Sequence, residues 1–304
     1  MATAPIEPPR RLVRAIGDAP ESPARAWLDS LPDRVAERLA AWELTPERVH
    51  EPGGRASLLV LVTQADGTPA ALKFPLPGRP GAEVEAAALA RWDGWGAARL
   101  LRADPDSGAL LLERLRGGVS LRSLPEAKAL LEAAGTVRRL WVPPTDGHPF
   151  ETLAARTETA VHLLRERAAA VPSAAPLIDE AVELRRTLPT DAPEEVLLHG
   201  AFRQGKVLAG HRTPWLAVGP RPVLGERAYD LVGLVLDRME DLAAGTGAAA
   251  AARRRVGKLA DSLEVDRDRL RAWTLVGAVE AGLRAVSADD RARGELLLEF
   301  GTWL

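Results

Sequence analysis

No cysteine occurs in the sequence. That absence excludes disulfides, thiolate metal sites and thiol nucleophiles, and it fits a reducing compartment. Long apolar runs are missing as well; none reaches the about 18 residues that a membrane span needs. Neither sign of charge is in excess, with 40 Lys+Arg against 42 Asp+Glu. Nothing global therefore points to nucleic acid or an anionic membrane. The opening stretch, MATAPIEPPRRLVRAIGDAPESP, is proline-rich and lacks the apolar segment of a signal peptide, so the expected setting is the cytoplasm. Lysine is scarce. Only Lys73, Lys128, Lys206 and Lys258 stand against a background of arginine, so a lysine here is unlike filler.

What is present divides in two. Residues 1–25 are expected to be loose. SLPDRVAERLAAW follows, with Ser30 placed to cap a helix, Pro32 near its first turn, and Val35, Leu39 and Trp42 at helical spacing. Two apolar runs flank Asp66-Gly67, a hairpin signal. An alanine-rich helical stretch closes at Gly94, and a second hairpin turns at Asp104 to Gly108. Ser123 and Glu126 have capping-box spacing, and most of the chain beyond them is helical. Short strands are expected at Val196 to Leu198, Val207 to Ala209 and Trp215 to Val218. The run Arg253-Arg254-Arg255 reads as a solvated helix face. The expectation is an α+β protein of two lobes: residues 26–115 as a strand-rich N-lobe, residues 116–304 as a helical C-lobe, and a cleft at the linker.

His50, His148, His162 and His211 are scattered without metal-ligand spacing, and no G-x-S-x-G motif appears. The informative stretch is HGAFRQGKVLAGHRTPWLAVGPRP, residues 199–222, followed by GERAYD at 225–230. This pattern resembles the streptomycin 6-phosphotransferase/hydroxyurea kinase branch of the aminoglycoside phosphotransferases. That family has a protein-kinase-like fold and a loop H-G-D-x-x-x-x-N, with I-D-P thirteen residues after the Asn. The spacing is kept here, and GGRASLLVLVTQADGTPAALK and WDGWGAARLL suit the family's N-lobe. The resemblance covers roughly residues 25–300.

The departures fall on the reactive positions. The resemblance implies a proton-accepting Asp where this chain has Ala201, and magnesium ligands where it has Lys206 and Gly219. An attacking alcohol needs a base within hydrogen-bond reach, worth roughly 10²–10⁴ in rate. Magnesium needs hard oxygen ligands. Alanine and glycine supply none, and an ammonium repels the ion. No catalytic group of the family is retained, and no metal site is expected. Other positions keep nucleotide-site character by resemblance. Lys73 is the strand lysine that grips phosphates, with Glu83 or Glu85 as its partner. Glu113 and Leu115 lie at the linker where an adenine would meet backbone. Arg203 and Lys206 are candidate phosphate contacts, and Gly53 to Ser57 a candidate phosphate-covering turn. His199 and Asp230 are expected to hold the loop.

The leading expectation is a catalytically impaired, kinase-like protein that binds a nucleotide, a small molecule or a protein partner. ATP or ADP is the candidate cofactor, and Mg²⁺ is not expected. The alternatives are an aminoglycoside or small-alcohol O-phosphotransferase using a non-standard site, in antibiotic resistance or secondary metabolism, and a kinase-fold scaffold or repurposed enzyme in a natural-product pathway. Decay of a kinase gene also stays open, because each of the three changes is one base substitution away.

Overall fold

The computed structural model describes residues 6–17, 22–78 and 81–304. Two helices come first, α1 (Arg10–Ile16) and α2 (Pro23–Ala41). Ser22 caps α2 by accepting from the Arg25 amide at 3.1 Å, and Pro23 takes the first helical position, where its missing N–H costs nothing. An antiparallel sheet follows: β1 (Thr45–Val49), β2 (Ser57–Thr63) and β3 (Pro69–Pro75), then helix α3 (Ala82–Trp92), then β4 (Leu100–Asp104) and β5 (Ala109–Glu113). The strand order is β1-β2-β3-β5-β4. Local chemistry sets both hairpins. Asp66 accepts from the Thr68 amide around Gly67, which holds φ +83°. Asp104 accepts from the Asp106 amide and the Ser107 hydroxyl.

Alternation along the strands sorts the faces. Leu58, Val60 and Val62 of β2 and Ala70, Leu72 and Phe74 of β3 are buried together with Trp27, Leu28, Leu31 and Val35 of α2. Lys73 falls on the opposite phase of β3, in register with Leu59 and Leu110. These elements form the first of two compact units, which runs to Gly117 and includes residues 210–216.

The chain continues through β6 (Arg116–Ser120), α4 (Glu126–Val137), α5 (Thr157–Ala168), α6 (Ala175–Thr190), β7 (Val196–Leu198), β8 (Val207–Ala209), β9 (Trp215–Ala217) and β10 (Val223–Gly225). It ends with α7 (Arg227–Leu236), α8 (Met239–Ala243), α9 (Ala248–Leu263), α10 (Arg267–Val286) and α11 (Arg291–Thr302). Small sheets of order β10-β7 and β6-β8-β9 carry the segments around residues 199–220. The second unit comprises residues 118–209 and 217–304. Its core joins Val161, Leu164, Ile178, Val182, Val279, Leu283 and Leu298 from α5, α6, α10 and α11.

Several local expectations are corrected. The first 25 residues are not loose throughout, because α1 buries Leu12 completely in the sheet core. Ser30 does not cap α2. The helix starts at Pro23, Pro32 lies inside it, and the Ser30 hydroxyl donates to the Trp27 carbonyl at 2.8 Å. The extra turns form because Trp27 and Leu28 gain burial. Ser123 and Glu126 make no capping box. Ser123 ends a 3₁₀ turn and donates to the Ser120 carbonyl, while Glu126 pairs with Arg255. Arg255 is therefore not on a solvated face. It is buried and also donates to the Val235 and Asp237 carbonyls.

Candidate functional site

In the first unit, Lys73 meets α3. Its Nζ donates to both carboxylate oxygens of Glu85, at 2.5 and 2.6 Å, and both side chains are close to fully buried. Glu83 is exposed and is not the partner. Two residues along a helix turn the side chain by about 200°, so only one of the pair can face the strand. A buried lysine needs such a counter-charge. The linker residues are engaged too. Glu113 accepts from the Arg99 amide at 2.7 Å and from Arg212 Nη2 at 2.8 Å. Leu115 is half-buried, and its carbonyl accepts from the Gly117 amide. Arg212 also donates to the Gly94 carbonyl. In the turn after β1, Gly53 holds φ +72°, and a side chain there would run into Pro9.

The loop after β7 belongs to the second unit, and helix α7 holds it at two points. Near the helix start, Asp230 accepts from the amides of His199 at 2.8 Å and Gly200 at 2.7 Å, and from the Trp141 indole at 3.3 Å. At the helix end, Asp237 accepts from the Gln204 amide at 2.6 Å. Gln204 is itself buried, and its side-chain oxygen accepts from Arg238 Nε. The Arg238 Nη2 donates to the carbonyls of Leu121, Arg122 and Leu124. Burial pushes the Asp230 carboxyl up to about 6, against the opposing pull of its two amide donors. Burial likewise raises Asp237.

His199 is fully buried. Its Nδ1 accepts from the Ala201 amide and its Nε2 faces the Val218 carbonyl at 3.2 Å. Through these two contacts the ring ties the loop to itself and to the facing segment. Gly200 must be glycine, because it holds φ +69° and a Cβ would fall 2.0 Å from the Arg221 carbonyl oxygen. Arg203 is exposed.

Lys206 and Gly219 meet directly. The Lys206 Nζ donates to the Gly219 carbonyl at 2.6 Å, and the Lys206 carbonyl accepts from the Val218 amide at 2.9 Å. The resemblance places magnesium at these two positions. Here an ammonium stands beside a residue with no side chain, and Ala201 offers only a methyl. Both oxygens of Asp230 already accept N–H donors, and Glu226 is held by Arg269 and the Trp273 indole. These residues do not fit a magnesium ion. Among the described residues, no group of three or more His, Asp or Glu side chains is arranged to hold a metal.

A cavity of about 300 Å³ lies beside β10, lined among others by Thr152, Leu153, Pro193, Glu194, Glu195 and Glu226. Two of its carboxylates are neutralised, Glu226 by Arg269 and Glu194 by Arg227. Sequence reasoning did not find Asp237, Gln204, Arg238 or Arg212. None of them belongs to a recognisable local pattern, and each acts on a residue more than 30 positions away.

Comparisons with known proteins agree with this architecture. The chain is 35% identical to a hydroxyurea phosphotransferase of Kitasatospora aureofaciens, over 96% of this chain and 86% of that protein. It is 36% identical to a streptomycin 6-kinase of Streptomyces griseus, over 90% and 91%. Among solved structures, a thermostable mutant of aminoglycoside phosphotransferase APH(4)-Ia in ternary complex with ADP and hygromycin B superposes with a TM-score of 0.59, at 17% identity, covering 88% of this chain and 98% of that one. The ethanolamine kinase of Plasmodium vivax gives 0.58 at 13% identity, covering 91% and 86%. Such distant structural likeness shows the protein-kinase-like fold alone. Residues 41–289 match the aminoglycoside/hydroxyurea antibiotic resistance kinases, and the chain belongs to that family.

Proposed function

We propose that this member of the family no longer transfers a phosphoryl group and works by binding a nucleotide, ATP or ADP, or another small ligand or partner, in the cytoplasm. One observation carries the reading. At the positions where the family pattern has a base and two magnesium ligands, this chain has Ala201, Lys206 and Gly219, and the Lys206 ammonium is bonded to the Gly219 carbonyl. Phosphoryl transfer rests on positioning and on neutralising charge around the transferred group. A site without proton acceptor or metal ligands lacks both means. The intact backbone around the substitutions supports retained binding, because His199, Gly200 and Gln204 all keep buried partners. So does the Lys73–Glu85 pair, whose ammonium is the group that meets phosphates in this fold.

The test is direct. Purified protein is incubated with labelled ATP, Mg²⁺ and either streptomycin or hydroxyurea, and the chain is expressed in a sensitive host. No transfer and no resistance are expected. Reverting Ala201→Asp, Lys206→Asn and Gly219→Asp together restores activity, whereas single reversions do little because the three act as one unit. Robust transfer by the unaltered protein would refute the proposal.

A further inference from the structure

We propose that Lys206 is a tethered cation that closes the loop onto residues 218–219 in place of a metal ion, so that the loop takes no divalent ion. The inference rests on the reading above and deepens it. Lys206 grips the facing segment from both of its ends. Its backbone carbonyl accepts from the Val218 amide at 2.9 Å, and its Nζ donates to the Gly219 carbonyl at 2.6 Å. The His199 ring adds a third tie, to the Val218 carbonyl. An ammonium and a hard metal ion draw on the same acceptors, carbonyl and carboxylate oxygens. The ammonium is already attached to the chain, so it needs neither a ligand set nor free ion to fill the position.

The geometry also couples the two substitutions. Gly219 holds φ +60°, a conformation that Asp tolerates better than most residues, and a Cβ built there would lie 3.9 Å from the Lys206 Nζ. A carboxylate introduced at this position therefore meets the ammonium first. Gly219→Asp alone makes an internal ion pair. A metal ligand set appears only when Lys206 is removed as well. Lys206 is thus a positioning residue whose charge determines which ions the loop accepts.

The experiment uses the full chain without nucleotide, and Mn²⁺ as the probe, in the wild type, Gly219→Asp, Lys206→Asn and the double variant. Calorimetry and the Mn²⁺ resonance signal read binding, and circular dichroism confirms folding. The double variant is expected to bind Mn²⁺ at least about tenfold more tightly than either single variant, by analogy with opposing charges at a shared site. In parallel, amide exchange is followed over residues 216–221. Loss of a hydrogen bond to a charged donor is expected to speed exchange about tenfold in Lys206→Met and to leave Gly219→Asp protected. Mn²⁺ binding by Gly219→Asp as tight as by the double variant overturns the inference. So does a folded double variant that takes no Mn²⁺, or unchanged exchange in Lys206→Met. Phosphoryl transfer by the wild type would refute the proposed function and leave these readouts standing, so the two can fail separately.

Discussion

Replacing Asp230 by alanine tests whether the loop after β7 is held as described. The substitution strips the acceptor from two backbone amides, His199 and Gly200, that sit 2.8 and 2.7 Å from the carboxylate. Leaving a buried donor without a partner costs about 1–3 kcal/mol, so the pair costs about 4 kcal/mol. The Trp141 bond, at 3.3 Å, adds little. Part of this cost is offset. Burial raises the carboxyl from 3.8 to about 6, and each unit corresponds to about 1.36 kcal/mol, so removing the ionised group returns about 3 kcal/mol. The net loss at pH 8 is about 1 kcal/mol. The sign of the pH dependence follows from the raised value. Stability from the protonated carboxyl is fully present below its unfolded value and is lost as pH rises through about 6. At pH 5 the wild type regains about 1 kcal/mol that the variant lacks, so the loss grows to about 2 kcal/mol. Urea denaturation of both proteins at pH 5 and pH 8 measures the difference, and titrations elsewhere cancel between them. A loss that shrinks from pH 8 to pH 5 would mean that the ionised carboxylate is the stabilising form, and would refute the reasoning.

Two further outcomes are expected. Lys73→Met strands Glu85 in a buried site and should cost about 3–5 kcal/mol in urea denaturation, with much of it recovered in Lys73→Met/Glu85→Leu; calorimetry with ATP should show weaker binding for Lys73→Ala. Gly233→Ala places a Cβ 2.1 Å from the Phe202 carbonyl oxygen, a backbone atom that cannot step aside, and should lower stability by about 1–3 kcal/mol and expose the loop to amide exchange.

What the sequence disclosed depended on the range of the interaction. The hairpin at Gly67 was legible because Asp66 and Thr68 settle it between themselves. Lys73 stood out because lysine is scarce in this chain and because the resemblance implies a phosphate-gripping lysine on this strand. Its partner stayed undecided between Glu83 and Glu85, since the choice depends on the phase of α3 against β3, which no local pattern records. Ser22, directly before Pro23, caps the helix that was expected to start at Ser30. The burial of Trp27 and Leu28 chose the earlier start, and that is a tertiary effect. Leu12 was hidden in the same way, by a proline-rich neighbourhood that gave no hint of a core contact. The departures from the family pattern at residues 201, 206 and 219 were visible because that pattern fixes their spacing. The bond from Lys206 to Gly219 was not, because it needs a loop to fold back across thirteen positions.

Helix α7 works as a ruler for the loop it carries. Asp230 and Asp237 are seven residues apart, close to two full helical turns, so they emerge on nearly the same side about 10.5 Å apart. The distance between the two anchor points is thereby set by the pitch of a helix and is independent of what lies at the loop's tip. A single residue inserted between them would swing one anchor by about 100° and release that end. Substitutions at the tip leave the gauge untouched. Chemistry at residues 201, 206 and 219 can therefore be exchanged while the backbone keeps its course.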